Sequence, residues 1–370
     1  MYPVNMPLVN GNEKKYLNEC IDSGWISSDG PFVEKFEHTF SSYVDCSNGI
    51  AVCNGTAALE VALFGAEIGE GDEVIMPSFT IISCAIAAIR LGAIPVLVDI
   101  ESNTWNIDVE QIESKITSNT KAIMAVHMYG HPCDIETILK IAKKHNLIVI
   151  EDASQVHGAL VNGKKCGSFG DVATFSFYAN KIITTGEGGM VTTSNSKIAE
   201  RARSYRNLCF RSERRFYHTE LGENFRMTNM QAALGVAQME RIDEFVDLKR
   251  KIGFKYLEEL GKINGVKTQV EKTGVKMVFW MYAIELNSDL NLDAEKVMAD
   301  LAKRQIGTRP FFLGLHEQPA LHERGLFLNE KYPVTERAYK HGLYLPSSLT
   351  LTDNDVEWIT SQLSEIISTR

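Results

Sequence analysis

The sequence predicts an α/β protein: a large domain with a mostly parallel sheet between helices, then a smaller C-terminal α+β domain. Two observations carry this. From about residue 47, short β-branched apolar runs alternate with helical stretches, a pattern that builds parallel strands covered on both faces. Past residue 230 the pattern becomes one long amphipathic stretch followed by mixed strand and helix signals. Length agrees, since 370 residues correspond to about two domains.

An N-terminal helical segment, 1–46, comes first, with helices expected at Glu13–Ser23 and Val33–Tyr43 around the turn-rich GWISSDGP. The large domain, 47–230, offers strands at Ile50–Cys53, Glu73–Met76, Ile94–Val98, Ala122–Val126, Leu147–Glu151 and Val172–Phe177. Helices are expected between them at Ala57–Glu67, Ile82–Leu91 and Ile135–His145. A single helix is expected from Thr228 to about Leu260, its apolar face (Met230, Ala233, Leu234, Ala237, Ile242) serving core and subunit contact. The rest of 231–370 reads as a strand (Val278–Ile284), a helix (Asp293–Arg304), the segment TRPFFLGLHEQP and a last helix (Asp353–Ile367). With no repeat, low-complexity tract or disordered linker, the two domains are expected to form one packed unit.

A net charge of −9 argues against a general nucleic-acid binder. The seven cysteines include no C-x-x-C pair, which argues against a disulfide framework or a zinc knuckle. The N-terminus lacks a basic flank and an apolar run, and the uncharged stretch Val74–Ile89 is broken by Pro77, so neither a signal peptide nor a membrane span is expected. A reducing, cytoplasmic setting is expected.

Four features carry chemistry. Asn54-Gly55-Thr56 follows a strand and opens a helix, where free amides and the Thr56 hydroxyl make an anion site; alone it is also an ordinary helix cap. Glu151-Asp152-Ala153-Ser154-Gln155 ends an apolar strand, the end at which open α/β sheets bind ligands. Asp152 there can hold a protonated ring nitrogen, and Gln155 can reach a ring substituent. Ser176 and Lys181 then sit in SFYANK before the glycine-rich TTGEGG, which is not the dinucleotide fingerprint. A lysine in such a place can lose its proton and form a Schiff base. Last comes Gly222-Glu-Asn224-Phe-Arg226 before the long helix. A phosphate cradle, an acid for a pyridinium nitrogen and a Schiff-base lysine are together what pyridoxal phosphate requires.

The motifs NGTAAL (54–59), GDEVIMPSFT (71–80), EDASQVHGA (151–159), GDVATFSFYANKIITTGEGGM (170–190) and NFRMTNMQAALGVAQMERID (224–243) resemble the DegT/DnrJ-type sugar aminotransferases of the fold type I superfamily. The resemblance runs from about Pro7 to Leu363. Among members, DSGWISS (22–28), TKAIMAVHMYGHPCDI (120–135), KIITTGEGGM (181–190) and FRMTN (225–229) are similar to GDP-perosamine synthases. It implies that Lys181 is the Schiff-base lysine, Asp152 the ring-nitrogen partner and Gln155 the contact to the ring hydroxyl. Gly55, Thr56 and Ser176 would hold the phosphate, and Asn224 would reach the cofactor of a neighbouring subunit in a homodimer with shared active sites. Pyridoxal phosphate would alternate with pyridoxamine phosphate, L-glutamate would be the donor and a nucleotide-linked keto-sugar the acceptor. Lys181, where the related dehydratases carry His, sets the chain up for amino transfer, and a non-catalytic regulator is disfavoured by the complete set. Two departures stand out: Ile81 replaces an aromatic residue stacking on the ring, and Arg309-Pro-Phe-Phe-Leu-Gly-Leu-His316 keeps only part of the perosamine-synthase pattern R-P-x-F-[H/Y]-P-x-H.

His127 and His131, four apart but beside Gly130 and Pro132, are expected in a loop or core role, and no metal site is expected. His157 is read as packed and His316, on the resemblance alone, as substrate-facing. The Arg-rich stretch Arg201–Arg215 reads either as a solvated face or as an attraction for a sugar-nucleotide diphosphate, with Arg215 near Tyr217 and His218 favoured. Arg309 completes the expected substrate contacts.

Overall fold

The computed structural model describes residues 1–210, 214, 216–290 and 292–369. The first strands are β1 (Asn48–Val52), β2 (Glu73–Pro77), β3 (Ile94–Val98), β4 (Thr120–Val126) and β5 (Ile148–Asp152). They are followed by β6 (Leu160–Val161), β7 (Lys164–Lys165), β8 (Val172–Ser176) and β9 (Gly189–Thr193). The C-terminal part adds β10 (Val266–Thr268), β11 (Val275–Lys276), β12 (Tyr282–Leu286), β13 (Arg309–Pro310) and β14 (Gly342–Leu345).

Seven strands form the main sheet in the order β1-β9-β8-β5-β4-β2-β3. The β8–β5–β4–β2–β3 pairs are parallel, and β9 alone runs against both its neighbours. These strands are almost wholly buried, which is why they read as continuous apolar runs rather than alternating ones. A four-stranded antiparallel sheet, β10-β12-β14-β13, lies in the C-terminal part. Its core gathers Tyr282, Ile284 and Leu343 with Ile252, Tyr256 and Leu260 of helix Ile242–Leu260 and Val356, Ile359 and Leu363 of helix Asp353–Ser368.

The first helix, Glu13–Ser23, ends at left-handed Gly24, and Pro31 opens the second, Pro31–Tyr43, which buries Phe36 and Phe40 in the main core. The expected single helix from Thr228 is two: Asn229–Met239, opened by a Thr228–Gln231 capping box, and Ile242–Leu260. The break has a tertiary cause. The Glu240 carboxylate is held by Asn12 and the Tyr16 hydroxyl, while Arg241 bonds Asn10 and Glu244. At the end of β3, buried Asp99 accepts the Val334 and Thr335 amides and the Thr335 hydroxyl, capping helix Pro333–His341 and tying the C-terminal part to the main sheet. Among the described residues no helix is long and apolar enough to cross a membrane.

Candidate active site

The C-terminal ends of β1, β5 and β8 converge on one cleft of about 630 Å³. Past β1, Asn54 caps helix Gly55–Gly65 by accepting the Ala57 amide at 2.8 Å. The amides of the first helical residues, Gly55 and Thr56, have no intrahelical acceptor and form the positive end of that helix. Thr56 Oγ1 shares a 2.9 Å hydrogen bond with Ser83. Gly55 has a steric reason to be glycine: a Cβ there would stand 2.7 Å from the Ser176 Cβ. The helix start and the end of β8 therefore close on each other only because that side chain is absent.

At the end of β5 the pleat sends two neighbouring carboxylates to opposite faces. Glu151 turns inward and accepts the amides of Gly167, Phe169 and Gly170 at 2.7–2.8 Å and His127 Nε2 at 3.2 Å. The Cys133 amide donates to His127 Nδ1, which leaves the imidazole proton on Nε2, facing Glu151. Asp152 turns toward the cleft, 3% exposed, with Oδ1 on the Ser154 amide at 3.1 Å and Oδ2 on the Cys84 thiol at 3.4 Å. Burial pushes the Cys84 thiol well above its ordinary pKa, so it stays a donor to Asp152. Gln155 accepts the Tyr129 amide through Oε1 at 2.7 Å, which fixes its orientation in the cleft.

Lys181 stands in the turn between β8 and β9. This turn needs Gly186, whose φ of 81° is left-handed. The Lys181 Nζ lies 3.7 Å from the centroid of the Trp280 ring. Burial pulls this amine down from its ordinary 10.5 to about 8, with the Asp152 charge pulling the other way. Trp280, Phe312 and Tyr344, all from the C-terminal part, wall the cleft opposite, and Tyr178 and Ile81 line its more exposed side.

Gly55, Thr56, Ile81, Asp152, Gln155, Ser176 and Lys181 thus share one cavity. The other residues singled out from sequence lie elsewhere. Asn224 is exposed and its neighbour Phe225 lines the cleft instead. Tyr217 stacks on the Arg214 guanidinium at 4.7 Å in the same excursion as Asn224, and Arg215 is outside the described residues. Arg309 is exposed on β13, paired with Tyr344 of the cleft wall. His316 is buried 3.3 Å from Glu336 with its ring against Tyr332, apart from the cleft lining. His157 packs among Phe40, Phe175 and Phe177, and burial drops it to about 3, so it stays neutral. His127 and His131 are both buried, and no metal-binding cluster occurs among the described residues.

Sequence reading missed Tyr178, Asn180, Glu187, Arg90, Phe225, Trp280, Phe312 and Tyr344. Tyr178 and Asn180 stood inside the lysine motif and Phe312 inside the altered RPFFLGLH segment. Nothing local marks Trp280 or Tyr344, which reach the cleft only through the packing of distant segments.

The fold and this cleft define a pyridoxal-phosphate-dependent aminotransferase. The chain belongs to the DegT/DnrJ/EryC1/StrS aminotransferase family, whose description matches residues 7–364. It is 42% identical over 366 residues to the GDP-perosamine synthase of Caulobacter vibrioides, covering 98% of each chain. It is 37% identical to the dTDP-3-amino-3,6-dideoxy-alpha-D-galactopyranose transaminase of Aneurinibacillus thermoaerophilus, over 94% of this chain and 93% of that one. Among solved structures it resembles the aminotransferase TlmJ from Streptoalloteichus hindustanus, with a TM-score of 0.92 at 27% identity, covering 100% of this chain and 99% of that one.

Proposed function

We propose that the enzyme transfers an amino group from L-glutamate to a nucleotide-linked 4-keto-6-deoxyhexose, GDP-4-keto-6-deoxy-D-mannose, giving GDP-perosamine. The observation that carries this reading is the end-to-end similarity to GDP-perosamine synthases, joined to a cleft that brings Gly55, Thr56, Asp152, Gln155, Ser176 and Lys181 together. The second reading, a dTDP- or UDP-linked 4-keto or 3-keto sugar, is favoured by the likeness to the galactose-derivative transaminase and by the departure at Leu313-Gly314.

The residues fit the cofactor. The cradle kept open by Gly55, with Thr56 and Ser176, takes a phosphate at a helix N-terminus. Asp152 is placed to keep a ring nitrogen protonated, Gln155 to meet the ring hydroxyl, and Ile81 to pack on the ring without stacking. When bound, pyridoxal phosphate supplies the electron sink that lets the donor's Cα–H bond break. Lys181, its amine lowered to about 8 by burial, is placed to take that proton and deliver it to the cofactor within the same half-reaction, and to carry one the opposite way in the sugar half, a positioned transfer contributing ~10²–10⁴-fold. The aromatic wall of Trp280, Phe312 and Tyr344 bounds the cleft on the side of the amine. Asn224 and Tyr217, outside this copy's cleft, are proposed to serve a second copy in a homodimer with shared sites. Arg309, beside Tyr344, is proposed to meet the sugar nucleotide, with Arg215 and His316 as the remaining substrate candidates. A cytoplasmic enzyme of surface-polysaccharide (O-antigen) synthesis is the matching role.

The test converts the purified protein to the pyridoxamine form with glutamate, strips free glutamate and adds GDP-4-keto-6-deoxy-D-mannose. Return of the pyridoxal-form absorption is expected. A clean glutamate half followed by no return would remove the GDP-perosamine reading and turn attention to dTDP- and UDP-sugars. Turnover in both halves by Lys181→Ala would refute the role of Lys181.

A further inference from the structure

The amine of Lys181 makes no hydrogen bond or ion pair among the described residues. What faces it is the π-face of Trp280, 3.7 Å from Nζ to the ring centroid. That ring arrives from the C-terminal part of the chain, about a hundred residues away, yet its placement is tightly specified. The indole N–H donates to the carbonyl of Asn180, the residue before the lysine, at 2.8 Å. The ring lies nearly parallel to that of Tyr129, at 14° and 6.2 Å between centroids. The main chain is pinned as well. Gly130 approaches so closely that a Cβ there would stand 2.5 Å from the Trp280 nitrogen. Lys249, fully buried on helix Ile242–Leu260, donates Nζ to the Trp280 carbonyl at 3.1 Å and to the carbonyl of Ser347. The Tyr282 hydroxyl closes the loop by donating to the carbonyl of Lys249 at 3.0 Å.

We propose that Trp280 is a further residue of the catalytic centre, whose ring face orients the free amine of Lys181 and holds its proton, and that Lys249 is the positioning residue that keeps Trp280 there. The physical basis is the ring quadrupole, negative on its face, which favours an ammonium over a neutral amine. This attraction opposes burial, which favours the neutral amine. With the Asp152 charge on the same side as the ring, these opposing effects keep Lys181 near the middle of the range in which one side chain can both accept and return a proton. The role belongs to the stage when the lysine is free of the cofactor, and it rests on Lys181 being the reacting lysine.

The test weakens the ring face with little change in size and with the N–H donor to Asn180 retained. Protein carrying tryptophan, monofluorotryptophan or difluorotryptophan is converted by glutamate to the pyridoxamine form, in which Lys181 is free. Trace acetylation across a pH series, read on the Lys181 peptide by mass spectrometry, gives the titration midpoint of that amine. Each fluorine is expected to lower the midpoint, to a total of about half a unit to one unit. Trp280→Phe provides the control, because the remaining tryptophans (25, 105 and 358) still take up the label. In that protein the midpoint should not respond to fluorination. A midpoint unmoved by fluorine in the parent protein, or one that moves equally in Trp280→Phe, would overturn the inference. Lys249→Met, by releasing Trp280, is expected to move the same midpoint, and an unmoved midpoint would remove Lys249 from the positioning role. Both failures leave Lys181 essential for turnover, whereas the failure of its own assignment would show as turnover by Lys181→Ala.

Discussion

Replacing Lys249 by Met tests the energetics of a lysine buried in the absence of a carboxylate. The amine is 1% exposed as a residue and its side-chain bonds go to two carbonyls, Trp280 and Ser347. Burial takes its pKa from 10.5 down to about 7. Unfolded, this lysine binds a proton below 10.5; folded, it does so only below about 7. Between those values the unfolded chain holds one proton more, so stability rises as pH increases through the window and is lost as pH falls through it. At ~1.36 kcal/mol per pH unit, the span from 10.5 to about 7 corresponds to roughly 5 kcal/mol. Met has similar length and no proton, so this contribution to the slope disappears. It also strips both carbonyls of a donor, at ~1–3 kcal/mol for each group left unsatisfied. The parent should therefore be the more stable protein near pH 10, with its advantage shrinking or reversing toward pH 7. Urea unfolding of both proteins at steps from pH 6 to 10 measures the difference, and titrations common to both cancel. A difference that stays constant across that range would refute the reasoning.

Gly55→Ala should weaken cofactor binding at least about tenfold, because its Cβ would press on Ser176 in the phosphate cradle; equilibrium dialysis of pyridoxal phosphate reads this. The adjacent carboxylates should separate cleanly. Asp152→Asn is expected to slow the glutamate half-reaction by about a hundredfold or more with the fold intact. Glu151→Gln should instead lower the thermal midpoint, at ~1–3 kcal/mol for lost charged hydrogen bonds, with little change in kcat of what remains folded. The sugar half-reaction should speed up as pH rises through about 8 and then level, since the Lys181 amine must lose its proton before it can accept one; stopped-flow absorbance across pH 6.5–9.5 checks this.

Elements whose signals are local were legible. Glu13–Ser23 and Ile135–His145 begin and end where apolar spacing and the capping residues place them. The parallel strands showed as apolar runs because both their faces are covered. Strand β9 was not seen, since GMVTT is short, follows the glycine-rich turn and takes its pairing from β1 and β8. The break at Glu240–Arg241 depends on Asn10, Asn12 and Tyr16, more than two hundred residues away, so periodicity could not show it. In the cleft, the glycine, carboxylate and lysine motifs each sit at a strand end and could be read one by one. Trp280 and Tyr344 could not, because their side chains become site residues only when the C-terminal part docks through contacts such as Asp99 with Thr335.

The place of β1 in the sheet has a consequence for synthesis. Among the described residues its ladder partner is β9, antiparallel from Asn48↔Thr193 to Val52↔Gly189, with a single bridge from Val52 to Arg226 besides. As the chain leaves the ribosome, β2 to β5 can assemble side by side while the apolar Ile50–Val52 waits for a partner about 140 residues downstream, ~7–28 s at ~5–20 residues per second. The strand end that feeds the phosphate-binding helix is thus the last part of the sheet to lock, and it locks onto the segment just after the catalytic lysine. Chains cut short before Gly189 should expose an unpaired apolar edge and be handed to chaperones or aggregate. Chains that reach Thr193 gain the edge and the strand-end half of the cleft in one step, while its opposite wall of Trp280, Phe312 and Tyr344 still waits for the C-terminal part.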